Sequence, residues 1–169
     1  DLWLELANHI NPDCYVVIEP GVEEMRALKI NAPLAHHIEA ALGARNDEGS
    51  FYVSEQQADS SLVEPASYTH VSKVLVRRLD DVMMELNLSK VKVLKLEAEG
   101  FEPEILMGAE SILKVTELVV ADGGPERGVD QQQTMSSIAN YLISHGFEMT
   151  DLKLSQGRAI FKNLHFPLT

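Results

Sequence analysis

The sequence predicts an α/β domain with a mostly parallel sheet that ends in an antiparallel C-terminal hairpin. Short apolar runs typical of strands alternate with segments of helical spacing, which requires crossover connections between parallel strands. The clearest example is residues 91–113, where an apolar run passes directly into a helical pattern. Near the C-terminus, two apolar runs flank Ser-Gln-Gly-Arg at residues 155–158, which is typical of a hairpin.

Turn and loop signals separate the predicted elements. Pro12 ends the first helix, because the residue before a proline disfavours helix. Asn-Asp-Glu-Gly at 46–49 indicates a turn, and the polar, serine-rich segment 55–69 indicates a loop. The predicted strands lie at residues 15–18, 34–41, 51–53, 73–76, 91–96, 117–121, 148–154 and 159–161. The predicted helices lie at residues 2–10, 22–29, 79–86, 101–113 and 131–145.

The composition narrows the class of protein. The 169 residues suffice for one domain, so we expect a single domain over residues 1–169. A net charge of −12 argues against nucleic acid and against an anionic membrane surface as partners. With Cys14 as the sole cysteine, no intrachain disulfide can form, which favours a cytoplasmic protein. The oligomeric state stays open.

Carboxylates follow the strand predicted at residues 91–96. They are Glu97, Glu99 and Glu102, with Gly100 among them, at the sheet edge where open α/β folds bind ligands. On an extended strand Glu97 and Glu99 would share a face, so one could serve as a general base, or both could hold a divalent cation. Alternatively, Glu99 and Glu102 only complement the dipole of the following helix.

This stretch also resembles a known family. LKLEAEGFEPEILMGA is similar to the signature of the FkbM-type methyltransferases, whose usual form is close to LKIDVEGFEPEVLKGA. Upstream, IEPGVEEMRALKIN and IEAALGARNDEGSFYV are similar to the family's second and third strands and their turns. The resemblance covers residues 16–121 and implies a Rossmann-like methyltransferase sandwich with S-adenosylmethionine as cofactor. The chain departs from the pattern at Glu97, where the family usually has aspartate.

The resemblance also points to a missing part. A methyltransferase of this fold carries a glycine-rich turn of the kind GANxG after its first strand, and nothing in this sequence supplies one. We therefore expect an N-terminally incomplete methyltransferase-like domain that lacks the first strand.

The predicted cofactor contacts lie at the ends of the strands predicted at residues 15–18 and 34–41, which correspond to the second and third strands of the family. In nucleotide-binding α/β folds, an acid placed like Glu19 accepts hydrogen bonds from ribose hydroxyls; the resemblance implies the same role. Alternatively, Glu19 is a solvated charge at a helix start. The resemblance places the turn of Glu39, Ala40 and Ala41 near adenine, which backbone groups of the two alanines would contact, while the Glu39 side chain could simply face water.

Further residues are predicted to serve the reaction itself. Glu97 or Glu99 would take the proton of an acceptor hydroxyl, whereas Lys95 needs an acidic partner and is as well explained by an ion pair as by catalysis. Asp122 could line the substrate side of the cleft, and Ser61 lies in a loop that could cover it. No metal site is predicted, because the histidines lack a cysteine at ligand spacing.

Two classes of function follow. The first is an S-adenosylmethionine-dependent methyltransferase that transfers a methyl group to a hydroxyl of a small molecule or sugar. The second is a non-catalytic, methyltransferase-like binding or assembly module, suggested by the absent glycine-rich turn and the departure at Glu97. A different nucleotide-using Rossmann-like enzyme is a weaker third hypothesis.

Overall fold

The computed structural model describes residues 14–54 and 60–166. The chain divides into two compact units, residues 1–41 and 42–169. The helix predicted at residues 2–10 and its end at Pro12 lie outside the described residues. A single domain over the whole chain stays a prediction.

The described part of the first unit contains a parallel strand pair. Strand β1 (Val16–Ile18) is followed by helix α1 (Val22–Asn31) and strand β2 (His36–Ile38), and β1 pairs in parallel with β2. The helix is the crossover that a parallel pair requires. Met25 anchors α1, since its side chain is 2% exposed. Strand β3 (Ala41–Leu42) contains the boundary between the units.

An antiparallel hairpin opens the second unit. It is formed by β4 (Asp47–Val53) and β5 (His70–Arg77), with Asp47 opposite Val76 and Val53 opposite His70. The sequence predicted a turn at residues 46–49, which is wrong for 47–49. Cross-strand pairing extends β4 through these residues despite their turn-like composition, as tertiary contacts often override local preference.

A four-stranded mixed sheet forms the centre of the second unit. Its strands are β6 (Val91–Leu96), β7 (Thr116–Asp122), β10 (Phe147–Lys153) and β11 (Arg158–Asn163). They lie in the order β10-β11-β7-β6, with a small β8 (Pro125–Arg127) and β9 (Gln132–Gln133) pair outside them. β6 and β7 are parallel, whereas β11 is antiparallel to both of its neighbours.

Helices cover this sheet and complete its core. They are α2 (Leu79–Glu85), α3 (Glu102–Met107), α4 (Glu110–Leu113) and α5 (Met135–Ser144). The side chains that fill the core are fully or almost fully buried and include Leu106, Val119, Ile138, Leu142 and Phe161. The sequence predicted the last helix from residue 131, but Gln132–Gln133 pair as β9, so α5 begins at Met135.

Asp80 joins two of these helices. Its carboxylate, on α2, accepts hydrogen bonds from the backbone N–H groups of Ser111 (3.0 Å) and Ile112 (2.9 Å) in α4. Because the first N–H groups of a helix have no partner within it, this contact caps α4 from a distance. Asp80 also contacts Arg78 Nη2 at 3.2 Å.

The predicted fold class is therefore confirmed in part. The protein is α/β, contains parallel strand pairs, and has the antiparallel C-terminal hairpin, which the short turn Leu154–Gln156 connects. A mostly parallel sheet is not confirmed, because the sheet of the second unit is mixed. No helix within residues 14–54 and 60–166 has the length and apolar character needed to cross a membrane.

Candidate functional site

In the first unit, two acids stand directly after the ends of parallel strands. Glu19 follows β1 and Glu39 follows β2, and the Glu19 N–H donates to the Ile38 carbonyl at 3.1 Å. Next to them lies a pocket of about 320 Å³ whose lining includes Glu19, Gly21, Met25, Arg26, Lys29 and Glu39. The carboxyl edge of parallel strands is the usual place for ligands in such folds.

The Glu19 carboxylate is partly buried, and its hydrogen bond to the protein does not fully offset the cost of removing its charge from water. Its Oε1 accepts a hydrogen bond from the Gly21 N–H at 2.7 Å. Burial is the main cause that raises the pKa of Glu19; the Gly21 hydrogen bond opposes this, and the nearby charge of Glu24 adds to it. A carboxylate in this situation gains from any further hydrogen-bond donor that enters the pocket.

The residues predicted to lie near adenine have other partners as well. Glu39 is exposed and forms an ion pair with Lys29, whose hydrogen bond lowers the pKa of Glu39. Ala40 and Ala41 are buried, and the Ala40 N–H already donates to the Ile38 carbonyl at 3.0 Å. The Ala40 N–H therefore has no free donor capacity, although the role of this turn stays a prediction.

In the second unit, β6 passes into α3 through what we call the strand-end turn, residues 97–101. β6 ends at Leu96, and Glu99 has a left-handed backbone with φ 48°. The expectation that Glu97 and Glu99 share the face of an extended strand is therefore wrong, because a turn separates them. Lys95 forms an ion pair with Glu97, which confirms that it has an acidic partner at this edge.

Glu102 organises this turn from inside and was missed as a functional residue. Its side chain is fully buried. Oε1 accepts hydrogen bonds from the Ala98 N–H (2.8 Å) and the Gly100 N–H (3.2 Å), and Oε2 accepts one from Thr134 Oγ1 (3.0 Å). The sequence offered only the reading of a helix-start charge, since nothing in it reveals the distant contact with Thr134.

Two more side chains, both distant from the turn in sequence, also hold it. Ser61 Oγ donates to the Glu99 carbonyl at 2.9 Å and accepts from the Val63 N–H at 3.1 Å. Arg127 donates to the Gly100 carbonyl and forms two hydrogen bonds with Glu104, at 2.9 and 2.6 Å. The hydrogen bond with Glu104 also raises the pKa of Arg127. Ser61 therefore stabilises this turn, which the sequence did not predict. Its role towards the substrate stays a prediction.

Asp122 ends β7, beside the end of β6, and is largely buried. Its Oδ2 accepts hydrogen bonds from Arg158 Nη2 (2.7 Å) and Nε (3.2 Å). Its Oδ1 is buried without a hydrogen-bond partner among the described residues. The hydrogen bond with Asp122 is the main cause that raises the pKa of Arg158, with further contributions from the charges of Glu97 and Glu126.

These contacts bring several sequence-predicted residues to one edge of the second unit. The ends of β6 and β7 carry Glu97, Lys95 and Asp122, and Arg158 adds a positive charge that sequence reasoning missed. Among the described residues, no three His, Cys, Asp or Glu side chains are grouped as for a metal ion. The alternative in which Glu97 and Glu99 hold a divalent cation therefore gains no support.

The elements define an α/β protein, and its acids follow the ends of parallel strands, where ligands usually bind in this class of fold. The family model of the methyltransferase FkbM domain matches residues 2–149. The chain therefore belongs to the FkbM methyltransferase family, which confirms the resemblance found in the sequence. No curated protein and no solved structure matched the chain.

Proposed function

We propose that this protein binds S-adenosylmethionine and transfers its methyl group to a hydroxyl oxygen of a small molecule or sugar. Membership of the FkbM family supports methyl transfer as the class of reaction. The single observation that supports the cofactor is Glu19, a half-buried carboxylate at the end of β1 that faces a pocket in the first unit.

The residues around this pocket fit a nucleoside. Its volume of about 320 Å³ lies at the lower end of the usual range for ligand sites, roughly 300–1,000 Å³. A Cβ at Gly21 would lie 2.9 Å from Glu19 Oε1 and 2.2 Å from Glu24 Oε2. Glycine at this position therefore leaves the Glu19 carboxylate accessible, which a larger residue would obstruct.

The chain's own groups suit the two ends of an adenosine. Gly21 engages Oε1 of Glu19, which leaves Oε2 to accept hydrogen bonds from ribose hydroxyls. Glu39, held by Lys29, and the buried Ala40 and Ala41 would flank the adenine.

The acidic strand ends of the second unit supply the proton chemistry. When bound, S-adenosylmethionine supplies an electrophilic methyl group on its sulfonium. Glu97 or Glu99 would take the proton that the acceptor hydroxyl loses when its oxygen receives the methyl group, with S-adenosylhomocysteine as the other product. Lys95 holds Glu97 by an ion pair at a partly exposed position. Asp122, held by Arg158 at the end of β7, would line the substrate side of the cleft. Ser61 supports this site through the Glu99 carbonyl.

Calorimetric titration with S-adenosylhomocysteine tests the cofactor assignment. We expect the protein at its full natural length to bind it, and Glu19→Ala to weaken binding by about tenfold to a hundredfold, since a hydrogen bond to a charged group contributes about 1.5–3 kcal/mol. Glu148→Ala, which removes an exposed acid on β10, is the control and should bind as the wild type does. Absence of binding by the wild type would refute the assignment.

The second candidate is a methyltransferase-like module without catalysis. It is favoured by Glu97, which departs from the family's aspartate and is engaged by Lys95. The two candidates differ in the formation of S-adenosylhomocysteine from S-adenosylmethionine with a panel of monosaccharides and small alcohols as acceptors. Methyl transfer that Glu97→Ala abolishes, with affinity for S-adenosylhomocysteine retained, would rule out the module.

A further inference from the structure

Side chains hold four backbone N–H and C=O groups of the strand-end turn. The N–H groups of Ala98 and Gly100 both donate to Glu102, and the Glu99 carbonyl accepts from Ser61. The Gly100 carbonyl accepts from Arg127. Three side chains from separate parts of the second unit therefore fix three consecutive residues of backbone.

The conformation that they hold is one the chain would not adopt freely. Glu99 has φ 48°, a left-handed backbone that non-glycine residues rarely adopt, and Gly100 follows with φ 92°. Such conformations persist where the surrounding structure over-determines them, and they are concentrated at functional sites. A Cβ at Gly100 would lie 2.5 Å from the Arg127 Cα, so the turn is also closely packed.

Of the three side chains that hold the turn, Glu102 alone among the described residues is fully buried and also forms two hydrogen bonds with the backbone of the turn. Its second oxygen binds Thr134 Oγ1 immediately before α5. The carboxylate thus ties the strand-end turn to a helix of the core, and a buried polar network that is fully satisfied specifies one conformation.

We propose that Glu102 is a positioning residue for methyl transfer: its buried carboxylate fixes the strand-end turn and thereby aims the Glu97 and Glu99 side chains. This role in catalysis rests on the proposed function, whereas the hold on the turn does not. Glu102 itself is enclosed by protein and takes no proton from the substrate. The carboxylates that it aims are the ones that do.

Two substitutions of Glu102 distinguish the effect of its side-chain length and hydrogen bonds from the effect of its charge. Glu102→Gln keeps the length: its oxygen can accept from Ala98 and Gly100, and its amide can donate to Thr134 Oγ1, which as a hydroxyl also accepts. Glu102→Ala removes every bond. Leu106→Ala is the matched control, because it opens a cavity one turn later in α3 but removes none of the side-chain hydrogen bonds that hold the strand-end turn.

Hydrogen exchange of individual backbone amides measures directly how firmly the turn is held. In Glu102→Ala we expect the Ala98 and Gly100 amides to exchange at least tenfold faster than in Leu106→Ala at matched global stability, with Glu102→Gln close to wild type. Unchanged exchange in Glu102→Ala would overturn the proposal, whether or not the protein binds S-adenosylhomocysteine.

Kinetics test the catalytic consequence. With S-adenosylmethionine and the best acceptor of the monosaccharide and alcohol panel, Glu102→Ala should lower kcat at least tenfold with little change in KM for the cofactor. Glu102→Gln should restore kcat, and Leu106→Ala should retain it per folded molecule. Equal losses in Glu102→Gln and Glu102→Ala would overturn the positioning role. If the wild type binds no S-adenosylhomocysteine, the proposed function is overturned instead. The hydrogen-exchange result would still decide whether Glu102 fixes the strand-end turn.

Discussion

Removal of the Asp80 carboxylate should destabilise the second unit by about 1.5–3 kcal/mol. The loss of a helix cap costs about 0.5–2 kcal/mol, and a partly buried N–H left without a partner adds about 1 kcal/mol. Both losses apply, because the side chain of Asp80 is 8% exposed and receives the N–H groups of Ser111 and Ile112. Its contact with Arg78, which is more exposed, should add little.

Urea unfolding followed by circular dichroism measures this effect. Asp81→Ala is a matched control from the same helix, since Asp81 binds the exposed Asn46 side chain and should cost less than about 0.5 kcal/mol. Asp80→Asn retains one oxygen acceptor and should fall between the two. If Asp80→Ala and Asp81→Ala unfold at the same urea concentration, the distant cap on α4 contributes nothing and the reasoning fails.

Three further results are expected. Burial raises the pKa of Glu19 above 4.5, so the protein loses stability as the pH rises through the raised pKa and Glu19 ionises. Glu19→Gln should therefore stabilise the protein at pH 7 but not at pH 4. Equal effects of the substitution at the two pH values in thermal melting would contradict this. Gly100→Ala should cost about 2–5 kcal/mol in urea unfolding, from its positive φ and the contact with Arg127. Lys95→Ala should change stability by less than about 0.5 kcal/mol, as its partly exposed ion pair implies.

Local patterns were sufficient to predict the main elements of the fold. The strand at 91–96 was located at its correct bounds because an apolar run and the acids after it mark both ends. The C-terminal hairpin followed from two apolar runs around a glycine turn, and Gly157 does adopt a left-handed backbone there. At Asp47, by contrast, turn-like residues form a strand, because their partners on β5 are separated from them by a long stretch of sequence.

The candidate site was predictable in its acids but not in its partners. Glu19 and Glu97 could be recognised because each directly follows a strand. The arginines could not, since Arg127 binds a residue 23 positions away and Arg158 one 36 positions away. Glu102 was misjudged for the same reason, because its contact with Thr134 spans 32 positions. Contacts of this length depend on the folded topology, which a single sequence does not encode locally.

The place of β11 between β7 and β10 has a consequence for biosynthesis. Residues 158–163 follow β10 in the sequence, yet in the sheet they lie between β10 and β7. A nascent chain that has emerged only as far as β10 presents the apolar edge of β7 without its partner, and such edges invite pairing with other chains. The central sheet of the second unit can therefore form only after residues 158–163 have left the ribosome, and a nonsense mutation shortly before Arg158 should yield aggregates rather than a shortened native protein.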